Sequence, residues 1–181
     1  IYDSTARYAM HPDCLATLAV LTGMSPAPVP HCRYLEIGCA NGGNLLSLAD
    51  AYPESQFVGI DQSARQIELA RKVVAALGMT NLTFEVADLE TYAGPAGGFD
   101  YVAAHGLYSW ITPQKREALL RQVKRLLAPQ GVGYISYNIY PGWHLRAPVR
   151  EMMLFHVRNL HNPEDRIQQS RAFVEFAARA Y

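Results

Sequence analysis

Tyr34-Leu35-Glu36-Ile37-Gly38-Cys39-Ala40-Asn41-Gly42-Gly43-Asn44-Leu45-Leu46 decides how this chain is read. An apolar run carrying an acid crosses a glycine-rich turn and closes on leucines. The pattern predicts a buried strand turning sharply into a helix. Glycines suit such a turn because a missing Cβ lets a nucleotide-like ligand approach the backbone. Amides of the turn and of the first helical turn are expected to be unpaired donors for that ligand. A tight strand-to-helix turn without any ligand has the same local sequence, so the rest of the chain must decide.

Outward from this stretch, strand-like and helix-like patterns alternate. Residues 56–61 and 82–88 read as further strands, each ending in an acid. Residues 99–106 are nearly continuous in apolar and small residues, which places a fourth strand centrally. Residues 131–138 read as a fifth, after a stop at Pro129-Gln130-Gly131. His11-Pro12-Asp13 starts a helix with Leu15, Leu18, Ala19 and Leu21 on its apolar side. Ser63 and Gln66 form a capping box before Ile67, Ala70, Val73, Val74 and Leu77. Thr112-Pro113 opens a helix faced by Leu119, Leu120, Val123, Leu126 and Leu127. Later helices are expected over 148–160 and from Asn162-Pro163 onward, with Met152, Met153 and Phe155 in the core.

Strand and helix alternating five times predict an α/β fold, a Rossmann-like doubly wound sheet of five parallel strands with right-handed crossovers. Three parts are expected: an N-terminal helical segment and proline-rich linker (1–30), a ligand-binding core (31–145) and C-terminal helices (146–181).

Lysine plus arginine and aspartate plus glutamate number 16 each, half the residues are hydrophobic and 18% are charged. That balance suits a globular domain and gives no field favouring nucleic acid or an anionic membrane. Cys14, Cys32 and Cys39 form no Cys-x-x-Cys pair, so neither a metal site nor a disulfide framework is indicated. No apolar run spans a bilayer and no signal peptide is visible, which leans towards the cytoplasm.

In a doubly wound sheet, ligands bind beyond the carboxyl ends of the strands. Glu36, Asp61 and Asp88 are acids at three successive strand ends, and Asp61 follows Gly38 by twenty-three residues. A carboxylate in the second position accepts hydrogen bonds from both ribose hydroxyls, and one in the third accepts a hydrogen bond from an adenine amino group.

With these residues the chain resembles class I S-adenosylmethionine-dependent methyltransferases. Glu36-Ile37-Gly38-Cys39-Ala40-Asn41-Gly42 is similar to their acid-x-Gly-x-Gly-x-Gly motif, with Ala40 where the middle glycine is usual. The resemblance implies S-adenosyl-L-methionine as cofactor and S-adenosylhomocysteine as product. It implies a binding set of Glu36, Gly38, Cys39, Ala40, Asn44, Asp61, Gln62, Asp88, Leu89 and His105. Class I enzymes normally add a sixth and an antiparallel seventh strand, and the chain stops after the fifth. The 181 residues are therefore expected to be the N-terminal catalytic portion of a longer protein.

A narrower likeness rests on His11-Pro12-Asp13, Gly42-Gly43-Asn44-Leu45, Ala104-His105-Gly106-Leu107-Tyr108-Ser109-Trp110 and Ser136-Tyr137-Asn138-Ile139-Tyr140-Pro141-Gly142-Trp143-His144. These resemble bacterial methyltransferases that carry a methyltransferase regulatory domain, a group that includes enzymes similar to outer-membrane-protein lysine methyltransferases. The likeness implies a protein substrate, and contact with further regions of the same protein.

His105 and Tyr108 are the candidate catalytic residues, His105 as a base near neutral pH. Aromatic residues after strands four and five (Tyr108, Trp110, Tyr137, Tyr140 and Trp143) suit a cationic sulfonium or a lysine chain. An amino-methylating Asp/Asn-Pro-Pro-aromatic sequence is absent after strand four, which argues against a nucleic-acid acceptor. Two other readings stay open: a nicotinamide-dependent oxidoreductase, since Gly38-x-Ala40-x-x-Gly43 and Asp61 suit that cofactor too, and a cofactor-binding module without turnover. The apolar side of the last helix (Ile167, Phe173, Val174, Phe176) is expected to pack on further domains or on a second copy.

Overall fold

The structure is a computed structural model that describes residues 5–180. The first four residues of the expected N-terminal segment and the last residue of the expected C-terminal helix lie outside it. The chain divides into two compact units, residues 1–137 and 138–181.

The first unit is built on five parallel strands, β1 (Arg33–Ile37), β2 (Gln56–Asp61), β3 (Leu82–Val86), β4 (Phe99–Ala104) and β5 (Leu127–Ile135), in the order β3-β2-β1-β4-β5. The doubly wound sheet is as the sequence predicts. Side-chain alternation splits β1 and β4 between two cores. Tyr34, Tyr101 and Ala103 enter the core on one face, Leu35, Ile37, Val102 and Ala104 the core on the other. The first face is covered by α1 (Pro12–Leu21), α2 (Gly43–Ala51) and α3 (Ala64–Leu77), through Leu15, Leu45, Leu48, Ile67 and Ala70. The second is covered by α4 (Pro113–Leu126), through Leu119, Val123 and Leu126.

Helices α1, α3 and α4 start where side-chain caps place them. The His11 ring accepts from the Asp13 N–H with Pro12 at the first helical position, Ser63 Oγ accepts from Gln66 N–H, and Thr112 Oγ1 accepts from Lys115 N–H. These caps satisfy amides that have no carbonyl partner within the helix.

The expected alternation fails at one place. Between β3 and β4 the described residues form no helix. Gly94, Pro95, Gly97 and Gly98 break any helical run there, and the buried ring of Tyr92 fills the face instead. The fifth strand also differs. It begins at Leu127, directly after α4, rather than after Pro129-Gln130-Gly131. The register jumps from Phe99↔Leu127 to Tyr101↔Val132, so the Pro-Gln-Gly stretch is an irregularity within the pairing. Leu18, Leu21, Val73, Leu77 and Leu120 are exposed, because a helix on a sheet buries a narrower strip than its apolar pattern suggests.

In the second unit, α5 (Ala147–His156) packs with α6 (Pro163–Ala180), the His156 ring 5.3 Å from that of Phe173. The Arg166 guanidinium donates to the Val157 and Leu160 carbonyls and so closes the turn between the helices. Met152 and Phe155 are exposed rather than core, since one partner helix cannot cover every apolar residue of α5. The Arg158 guanidinium lies over the Phe155 ring at 3.8 Å. Among the described residues no cluster of potential metal ligands forms, and no helix is long and apolar enough to cross a membrane.

Candidate cofactor site

The carboxyl ends of β1, β2, β3 and β4 line up along one edge of the first unit, with the order of connection reversing between β1 and β4. Every predicted acid lies near this edge.

The turn between β1 and α2 has three residues at positive φ: Gly38 (+76°), Ala40 (+50°) and Gly42 (+77°). A Cβ on Gly42 would run into the Phe84 ring, so glycine there answers to packing within the protein rather than to ligand approach. The turn's amides are also occupied. Gly38 and Cys39 N–H both donate to the Ile60 carbonyl, at 2.8 and 3.1 Å. Ala40 N–H donates to Asp61 Oδ2 at 3.0 Å and Gly42 N–H to the Cys39 carbonyl at 3.0 Å. The expected set of unpaired donors is therefore absent at these positions. The turn is bound to β2 instead, which holds it rigid against the ligand edge.

Glu36 lies within β1, one residue before its end, and is only 4% exposed. Its Oε2 accepts from Asn44 Nδ2 at 2.9 Å. Burial pushes the Glu36 carboxyl up to about 7, against a smaller opposing effect of that hydrogen bond. Asn44 Oδ1 in turn accepts from the backbone N–H of Arg7 at 3.1 Å. Cys39 is fully buried, and burial raises its thiol far out of the reactive range, so only its backbone faces the turn.

Asp61 is the last residue of β2, followed by the exposed Gln62. Its Oδ2 takes the Ala40 N–H and its Oδ1 takes the Ser63 N–H at 2.8 Å. Each oxygen keeps a lone pair for a ribose hydroxyl. Asp88 stands two residues beyond β3, in a turn rather than at the strand end. The Glu90 N–H (2.8 Å to Oδ1) and the Lys115 ammonium (3.0 Å to Oδ2) hold its carboxyl below the usual range. Leu89 is half-buried against the second core.

His105 follows β4, its Nδ1 3.2 Å from the Tyr134 hydroxyl and its ring nearly parallel to that of Tyr134. Burial, reinforced by the charge of Arg7, lowers its pKa, so the ring is neutral at pH 7. Tyr108 and Tyr137 pair at 5.9 Å, and the Arg116 guanidinium lies 5.3 Å from the Tyr108 ring centre. Asn138, Tyr140 and Trp143 belong to the second unit, where the Tyr140 ring sits 4.4 Å from that of His144. Arg7, Lys115 and Tyr134 were not singled out by motif or spacing. Lys115 carries a trace of its role, because Thr112-Pro113 puts it in the first turn of α4.

This edge fits a nucleoside that has no phosphates. A pyrophosphate needs unpaired amides at the glycine turn, and those of Gly38, Cys39, Ala40 and Gly42 are occupied, with a buried acid in the adjoining strand. Hydroxyl and amino groups need carboxylates, and these are present.

Residues 35–131 match the family described as a methyltransferase domain, which is more than half of the chain. The chain belongs to this family. The methyltransferase domain is 36% identical over 166 residues to an uncharacterized protein of Rickettsia prowazekii, covering 92% of this chain and 66% of that one. It is 41% identical over 175 residues to a second from the same organism, covering 97% of this chain and 32% of that one. Among solved structures it resembles PKMT2 from Rickettsia typhi in complex with AdoHcy, with a TM-score of 0.82 and 33% identity over 100% of this chain and 35% of that one. The methyltransferase domain thus spans between about a third and two thirds of these relatives. It is a class I S-adenosylmethionine-dependent methyltransferase domain with a Rossmann-like fold, and the oxidoreductase reading is not favoured.

Proposed function

We propose that this chain is the catalytic portion of a longer bacterial, cytoplasmic enzyme that methylates a protein lysine amine. The observation that carries the reading is the Asp61 carboxylate, fastened by the glycine turn and still offering two lone pairs at the sheet edge. When bound, S-adenosylmethionine supplies an activated methyl group and its own leaving group.

The chain's residues then bind and orient. Asp61 holds the ribose and Asp88, kept ionised by Lys115, accepts the adenine amino group. Glu36 faces the amino-acid part. Tyr108 and Tyr137 line the approach of the acceptor chain, and their ring faces favour a cation. A lysine must shed a proton before its lone pair attacks. His105, neutral at pH 7, accepts that proton, with Tyr134 orienting its ring. The resemblance to enzymes with a regulatory domain supports a protein acceptor and a partner region in the same protein.

The test is titration calorimetry with S-adenosylhomocysteine and with NAD, followed by transfer of labelled methyl to a cell extract by the full-length protein. Binding of S-adenosylhomocysteine alone, and label on lysine, are expected. Binding of NAD alone, or label recovered on nucleic acid, overturns the reading. His105→Asn is expected to lower kcat by about 100-fold if the ring takes the proton, with the Kd for S-adenosylhomocysteine little changed.

A further inference from the structure

The start of α4 runs against the usual charge preference of helix ends. The positive end of a helix favours acids in its first turn and disfavours cations. The first turn of α4 holds no acid and carries Lys115 and Arg116 instead. Both are half-buried, whereas their neighbours Gln114 and Glu117 are exposed. Their partners lie off the helix. Lys115 Nζ donates to Asp88 Oδ2 at 3.0 Å and lies 3.6 Å from Glu90 Oε2, in the turn after β3. Arg116 Nε donates to the Tyr108 carbonyl at 2.9 Å, and its guanidinium sits over the Tyr108 ring, in the turn after β4. Two consecutive side chains therefore tie one helix start to both turns, although β3 and β4 stand three places apart in the sheet.

The two turns differ in what holds them. None of Tyr108–Trp110 is buried, so core packing alone does not fix the turn after β4, and the bond from Arg116 carries weight there. At the other turn a ligand has something to add. The Asp88 and Lys115 side chains are each 35% exposed, and a base laid against Asp88 displaces water from the pair. An ion pair strengthens as water leaves it. Such a ligand favours the anchored helix start over the loose one, and that difference is what a coupling between sites requires.

We propose that Lys115 and Arg116 are positioning residues that couple the two ends of the site: a base seated on Asp88 fixes, through the start of α4, the place of Tyr108 on the acceptor side. The proposal rests on the reading above, with Asp88 at the adenine and Tyr108 at the acceptor chain.

Hydrogen exchange read by mass spectrometry tests the coupling, on the chain alone and with S-adenosylhomocysteine at an occupancy fixed by calorimetry. The reporter is the 107–112 peptide, in which the Trp110 N–H donates to the Leu107 carbonyl at 3.0 Å. In the wild type the ligand is expected to slow its exchange by about fivefold or more. Lys115→Met and Arg116→Met should abolish that slowing at equal occupancy, and Lys115→Arg should keep most of it. Coupling is reciprocal, so Arg116→Met should weaken S-adenosylhomocysteine by a similar factor, although its guanidinium engages Tyr108. A merely structural role would speed exchange equally with and without ligand and leave their ratio as in the wild type. Thermal melting of the free variants controls for folding. If the ratio is the same in every variant, or if the wild type binds the ligand without slowing at 107–112, the proposal is overturned and the methyltransferase reading stands. If the wild type binds no S-adenosylhomocysteine, both fall together.

Discussion

Asn44 donates its side-chain amide to Glu36 Oε2 over 2.9 Å, joining the first turn of α2 to the strand it follows. The acid beneath it is buried, and its carboxyl is pushed up from 4.5 to about 7. A raised carboxyl binds its proton more tightly in the folded state, so stability falls as pH rises from the unfolded value through about 7, then levels off. The size is about 3 kcal/mol. His105 works the other way: its pKa is lowered, so its contribution grows as pH rises to the unfolded value. The difference between wild type and Glu36→Gln isolates the carboxyl. In urea titrations at pH 5 and pH 8, Glu36→Gln should gain on the wild type by a few kcal/mol between the two. It should also bind S-adenosylhomocysteine more weakly at pH 8. An equal difference at both pH values would show that Glu36 titrates normally.

Asp61 serves the fold and the ligand with the same two oxygens. Asp61→Ala removes acceptors from the Ala40 and Ser63 amides, so the free domain should lose about 1–3 kcal/mol as well as its cofactor affinity. Asp61→Asn keeps one acceptor oxygen and should cost less stability while still weakening ligand binding at least about 10-fold. Chemical denaturation and calorimetry on both variants separate the two roles. Affinity that tracks stability across the pair would mean that Asp61 only braces the turn.

The tip of the Phe84 ring points at the Gly42 backbone in the glycine turn. In Gly42→Ala the new methyl meets the Phe84 ring at a residue with φ of +77°. Steric overlap of this kind costs about 1–3 kcal/mol, and the left-handed backbone adds about 1–2 kcal/mol. Adding Phe84→Leu should return part of the steric loss and none of the backbone loss. Ala40→Gly relieves the same kind of backbone strain and is expected to change stability by less than about 1 kcal/mol, because glycine also frees the unfolded chain. Melting curves of the three variants and the wild type give the ranking. A Gly42→Ala protein as stable as the wild type would remove packing as the reason for glycine at 42.

Much of this architecture was legible because the chemistry is local. Apolar runs bounded by Pro and Gly mark β1, β2 and β4, and Ser63, Thr112 and His11 cap the helices their spacing predicts. What was not legible depends on through-space partners. Nothing near Gly38 says that its N–H is taken by Ile60, about 75 Å of chain away when extended. The tie from Arg7 through Asn44 to Glu36 joins three segments that no motif links. The strand-end acids were legible as a set, yet their environments differ. Glu36 is buried and raised, whereas Asp88 is half-exposed and lowered by Glu90 and Lys115. Local sequence reports which residue stands at an edge, and only packing decides its charge.

The second unit leads to the last prediction. In α6, Ile167 is 56% exposed and Phe176 70%, and in α5 Phe155 is 67% exposed. Large apolar side chains scattered singly are ordinary, but several exposed on one pair of helices offer apolar area that binds hydrophobic dyes and promotes association. The chain should therefore enhance the fluorescence of such a dye and elute on size exclusion with a concentration-dependent volume. Ile167→Glu with Phe176→Glu should suppress both. Neither residue is buried in its own unit, so the melting temperature should stay close to that of the wild type. A monodisperse chain at high concentration without dye binding would show that these side chains are ordinary surface residues.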